Sequence, residues 1–255
     1  GKLFGLESED ISQASSAIRE NLGVSAQEAT NLSLSFARTA AATGQTADQL
    51  SNTLVALEAV SSASREVLLN QLRTNAAIIG QAGVTPSVVL QDIAQNTEFF
   101  ATFAKEGGDN ILRAAIAAKS LGSELGTVSG IAESLLDFES SIESQLEASL
   151  LLGRQINLDR ARQLFFVGKT EQGLQEVLRQ VGSEAEFTRL LPIQRQKLAS
   201  AVALNVEQLS RLVRNNAAGA TGAAVGAAMG GDGQSVDFLS QIADNTRKTY
   251  KGIQG

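Results

Sequence analysis

The chain has 255 residues, 43% of them hydrophobic and 19% charged, with a formal net charge of −6. That length can bury a real core as one large domain or two small ones, the apolar content excludes wholesale disorder, and the acidic balance argues against a general nucleic-acid binder. Histidine and cysteine are both absent, which removes disulfides, thiolates, the commonest general base and the commonest metal ligand together.

Aromatics are only 4% of the chain, so Ala and Leu carry its apolar content and favour close helix packing. No long apolar run follows Gly1-Lys2-Leu3-Phe4, so no secretory signal is expected. Met229 is the only methionine, from which we expect a trimmed chain or, in preference, a fragment of a longer protein.

In chain order, the pattern predicts helices near 8–22, 25–43, 46–80, 85–105, 109–121, 127–152, 157–167, 170–181, 184–190, 192–202, 205–215 and 235–251, with a break near Ser61-Ser62. The punctuation is consistent: a glycine suited to a left-handed C-cap, then a hydroxyl able to accept a backbone N–H. Gly23-Val24-Ser25, Gly44-Gln45-Thr46 and Gly83-Val84-Thr85 are the examples. Ser25 and Glu28 have capping-box spacing, and Pro86 suits a first helical position. No alternating run is long enough for a strand. The fold class is therefore all-α, built of many short to medium helices. Whether they form a compact body or an extended string stabilised by oligomer contacts stays open.

Four regions follow: an N-terminal helical segment 1–104, a central helical region 105–216, a Gly/Ala-rich linker 217–234 and a C-terminal amphipathic helix 235–255. In the linker, Gly222, Gly226 and Gly230 repeat at helix-approach spacing, but the tract falls short of the ~20 strongly apolar residues that a membrane span needs. Beyond it, Val236, Leu239, Ile242 and Tyr250 share one side of a helix, with Arg247, Lys248 and Lys251 near its end. That is the grammar of a tethered docking segment.

Ile131, Leu135, Phe138, Ile142, Leu146 and Leu150 follow one another by three or four residues, close to a coiled-coil seam. Two readings stay open: packing on the chain's own core, or self-association around a symmetry axis. Beside the seam, Glu139, Glu143 and Glu147 stand one turn apart, where like charges cost roughly 0.2–0.5 kcal/mol per pair. Residues 120–153 hold six acids and no base, whereas 154–214 hold ten bases against six acids, so basic helices could neutralise the stripe.

Chemistry finds little purchase. Ala132-Glu133-Ser134 superficially resembles the Glu-Ser pair of lytic transglycosylases, but this Glu falls in an acidic helix without the Gly- and aromatic-rich segments that grip glycan. No P-loop, zinc motif or dinucleotide fingerprint is present, so we expect no catalytic, cofactor or metal site. Phe99, Phe100 and Phe103 read as core, with Asp109 placed to cap the next helix, and Phe165, Phe166 and Phe187 read likewise.

Residues 105–164 and 183–213, within an extended likeness over roughly 80–214, resemble the C-terminal region of tape-measure proteins of long-tailed bacteriophages, most closely contractile-tailed, T4-like ones. The resemblance implies a structural virion protein in the tail-tube lumen. It would be anchored at the baseplate hub, guide tube assembly and length, and leave before DNA ejection. It implies assembly in the host cytoplasm, with tube and hub proteins as partners. Copies of the chain would also be partners, three matching a threefold hub in preference to six matching the tube. Stable nucleic-acid binding is not expected, and membrane contact only during ejection. On this reading Ile131, Leu135, Phe138, Ile142 and Leu146 form the self-association seam, and Val236, Leu239, Ile242 and Tyr250 dock on the hub. The rival classes are a monomeric helical adaptor and a membrane-active module using the Gly/Ala tract.

Overall fold

The computed structural model describes residues 8–228, and among these it is all helix and turn, with no strand. The helices are α1 (Ser8–Leu22), α2 (Ala26–Thr43), α3 (Ala47–Val60), α4 (Arg65–Gln81), α5 (Pro86–Gln95), α6 (Thr97–Phe103), α7 (Asp109–Ser120), α8 (Leu125–Leu136), α9 (Phe138–Leu152), α10 (Asp159–Phe166), α11 (Thr170–Val181), α12 (Glu184–Arg189), α13 (Pro192–Ala201) and α14 (Val206–Ala228). A short 3-10 turn, Glu106–Gly108, precedes α7.

Local chemistry sets most of these boundaries. Gly44 closes α2 in the left-handed region at φ 69°, and Thr46 opens α3 with a complete capping box to Gln49. Ser25 accepts the Glu28 N–H at 3.2 Å, while the Glu28 carboxylate turns to Arg65. Thr85 makes no cap bond, although Pro86 takes the first helical position as expected. Asp109 is the first residue of α7 and not its cap: Gly108 precedes it at φ 90°, with Phe100 lying where a side chain would have to go.

The 46–80 segment opens at 61–64, at the expected break, and Ser64 caps α4. Two other predicted helices are broken in two. The 85–105 segment breaks at Asn96, whose side-chain amide donates to the Asp92 carbonyl at 2.7 Å. The 127–152 segment breaks at Asp137, whose ψ of 87° turns the chain between α8 and α9. In the opposite direction, α14 runs through Ala228 where a linker was expected. Seven alanines against three glycines between 217 and 228 explain this, because Ala is the best helix former.

Residues 8–215 close around one core, so among the described residues the extended-string alternative gives way to a packed body. α1 to α4 pack mutually around Ile18, Phe36, Leu50, Leu54 and Leu69. α5 joins this group to α7, which is lined with Ala114, Ala115 and Ala118 and lets α8 and α11 approach closely. The α5–α7 packing joins the first four helices to the rest of the unit, which ends at Asn215. Residues 216–228, the last turns of α14, belong to a separate unit.

One buried ion pair ties the centre together. Asp92 on α5 receives the first N–H of α8 from Leu125 at 2.8 Å and meets Lys119 Nζ on α7 at 3.1 Å. Its remaining acceptor capacity goes to the Asn96 amide at 3.2 Å. A carboxylate so buried is tolerable only with this full set of partners.

Candidate interaction face on α9

The turn at Asp137 divides the predicted seam into two halves with opposite fates. Ile131 and Leu135 on α8 are 0% exposed and belong to the chain's own core, packed with helices such as α7, α10 and α11. They are therefore closed to a second copy, which corrects the seam as drawn from spacing. Phe138, Ile142, Leu146 and Leu150 on α9 are 53%, 43%, 57% and 83% exposed, a row at i, i+4, i+8 and i+12. Fully burying one such side chain is worth ~1.5–3 kcal/mol, so α9 leaves a large apolar gain unused.

Apart from Leu152 at its end, which packs partly against the core, what α9 turns inward is polar or small. Its buried residues are Ser141 and Ala148. Arg162, itself buried on α10, donates to Ser141 Oγ from Nε at 3.0 Å and from Nη2 at 2.8 Å, and to Asp159 from Nη1 at 2.8 Å. Gln145 Oε1 accepts the Leu158 N–H and Ser149 Oγ accepts the Ile156 N–H. These bonds form a ladder: 149 with 156, 145 with 158, 141 with 162. α9 is thus fastened to the following segment through hydrogen bonds, and its apolar row is left outside. On another flank α13 packs along α9, where Lys197 Nζ meets Glu147 at 2.5 Å and the Gln194 amide donates to the Leu151 carbonyl.

The acidic stripe is divided as well. Glu147 is neutralised within the chain by Lys197, whereas Glu139 and Glu143 stay exposed beside the apolar row. An apolar row bordered by carboxylates is suited to a surface with apolar anchors and basic neighbours. Scattered exposed leucines need no explanation, but a contiguous row does.

Other exposed apolar groups were not anticipated from the sequence. Phe165 is buried but Phe166, read as core, is 73% exposed, because a 100° step on a helix cannot send both rings inward. Leu191 and Ile193 near the start of α13 are also exposed. Phe99 and Phe187 do pack in the core, and Phe99 meets Phe103 at 4.7 Å between ring centroids. Val236, Leu239, Ile242 and Tyr250, expected to dock on the hub, lie outside the described residues.

The carboxylates with shifted acidity have structural settings. Burial pushes Glu171 above the usual carboxylate range against the pull of Arg113. Hydrogen bonds from Arg179, aided by Gln180, hold Glu176 below that range against its burial. Ser183 lowers Glu186 through its backbone N–H and hydroxyl, a helix-capping arrangement. Glu133 is exposed and accepts the Ser129 hydroxyl at 2.6 Å. Among the described residues, no three acidic side chains gather as a metal site, and no helix is long and apolar enough to cross a membrane. The open recess between α2 and the start of α4 contains Arg65, but Glu58 and Glu28 already engage it at 2.6 and 3.2 Å.

No protein-family model, curated protein or solved structure matches this chain.

Proposed function

We propose that this chain is the C-terminal part of a phage tail tape-measure protein, a non-enzymatic structural component of the virion. In this role it occupies the tail-tube lumen and anchors at the baseplate hub. It guides assembly and length of the tube and is released before DNA ejection. Its partners are copies of itself, three in preference to six, together with hub and tube proteins. Support comes from the residue likeness over roughly 80–214 and from the all-helical architecture. The observation that carries most weight is α9, which fastens itself inward through polar bonds and keeps Phe138, Ile142, Leu146 and Leu150 for another surface.

The test is to separate tails from heads in purified virions of the phage whose genome encodes the chain. Mass spectrometry should find peptides of residues 8–215 in the tail fraction. Their confinement to the head fraction, or absence from virions, refutes the reading.

A second reading, a monomeric helical adaptor, is favoured by one observation: residues 8–215 bury their core without help from a neighbour. Sedimentation of the whole chain separates the two, because the adaptor stays a monomer at all concentrations.

A further inference from the structure

A second surface of the same unit has the opposite character to α9. At the turn between α10 and α11, Phe166 and Val167 are exposed and Lys169 is exposed beside them. Lys105 reaches across from the segment after α6 and donates from Nζ to the Val167 carbonyl at 2.8 Å. Its aliphatic stem lies against Gly168, where an added Cβ would come within 2.9 Å of Lys105 Cε. The result is an apolar knob flanked by two ammonium groups.

From this complementarity we infer that the α9 face of one copy takes the Phe166–Val167 knob of a second copy, so that copies join head to tail. Phe166 and Val167 cover part of the row formed by Ile142, Leu146 and Leu150, and Lys169 and Lys105 approach Glu143 and Glu139. One base–acid contact of this kind already exists inside each copy, where Lys197 of α13 meets Glu147 of α9. Two α9 faces pressed together would instead set Glu139 and Glu143 against their own counterparts, a repulsive arrangement. A contact between two different patches is heterologous, and such contacts close into rings when the rotation allows. This rests on the self-associating role proposed above and specifies the surfaces that would perform it.

Sedimentation velocity of the full chain across the micromolar range tests it, at low and high salt. Wild type should associate. The variants Glu143→Lys and Lys169→Glu should each weaken association about tenfold, and combining the two should restore it to within about threefold of wild type. Phe166→Ser and Leu146→Ser should weaken it without altering charge, with thermal melts reporting that each variant folds. A wild type that remains monomeric overturns the inference, as do charge variants that associate like wild type or a combined variant that stays weak. A chain that is monomeric in solution yet present in the tail fraction of virions would sink this contact and the self-association, and leave the virion assignment standing.

Discussion

Arg162 places its Nη2 2.8 Å from Ser141 Oγ, with both residues almost wholly buried. This bond between α10 and α9 decides which side of α9 faces the body. A guanidinium and a hydroxyl occupy the interior position that an apolar pair would ordinarily fill, and the apolar row is turned outward. Arg162→Ala should therefore cost about 2–4 kcal/mol, through lost packing and an unpaired Ser141 hydroxyl. Chemical denaturation of the variant checks this, and an unchanged midpoint would show that the bond does not hold α9 in place.

The split seam gives a contrast between neighbouring positions. Leu135→Ala should destabilise the fold by about 2–5 kcal/mol, as core truncations do. Leu150→Ala, with its side chain 83% exposed, should stay within about 0.5 kcal/mol of wild type. Equal losses at both positions would mean that α8 and α9 form one continuous buried helix after all.

Asp92 joins α5, α7 and α8 through Lys119 and the Leu125 N–H. Asp92→Ala leaves the mostly buried Lys119 ammonium with only the exposed Glu124 at 4.0 Å, which costs about 3 kcal/mol. The loss should appear in hydrogen exchange as faster opening at the start of α8. Wild-type protection at Leu125 would count against the network.

Acidity divides two glutamates of α11. The Glu171 value is raised above its ordinary 4.5, so its contribution to stability is present below that pH and lost as pH rises through the folded value. At pH 7 its charge is a net penalty, and Glu171→Gln should raise Tm there but not in acid. The Glu176 value is lowered, so its contribution is present above 4.5 and lost as pH falls through the folded value. Glu176→Gln should lower Tm at pH 7, with the difference shrinking in acid. Thermal melts at both pH values decide, and parallel shifts for the two variants would contradict these opposite signs.

Sequence by itself determined the helical class and most helix boundaries, because both rest on local causes. Gly44 followed by Thr46, and Ser183 with Glu186, set helix ends through bonds spanning three or four residues. It also supplied the apolar row and the acidic stripe as spacings. Which apolar residues would be covered was not legible. The turn at Asp137 sends Ile131 and Leu135 inward, and Arg162, twenty-one residues from Ser141 in sequence, turns Ile142 and Leu146 outward. Spacing fixes which residues share a helix face, but neighbours distant in the chain decide which face is buried, and only the tertiary structure brings those neighbours together.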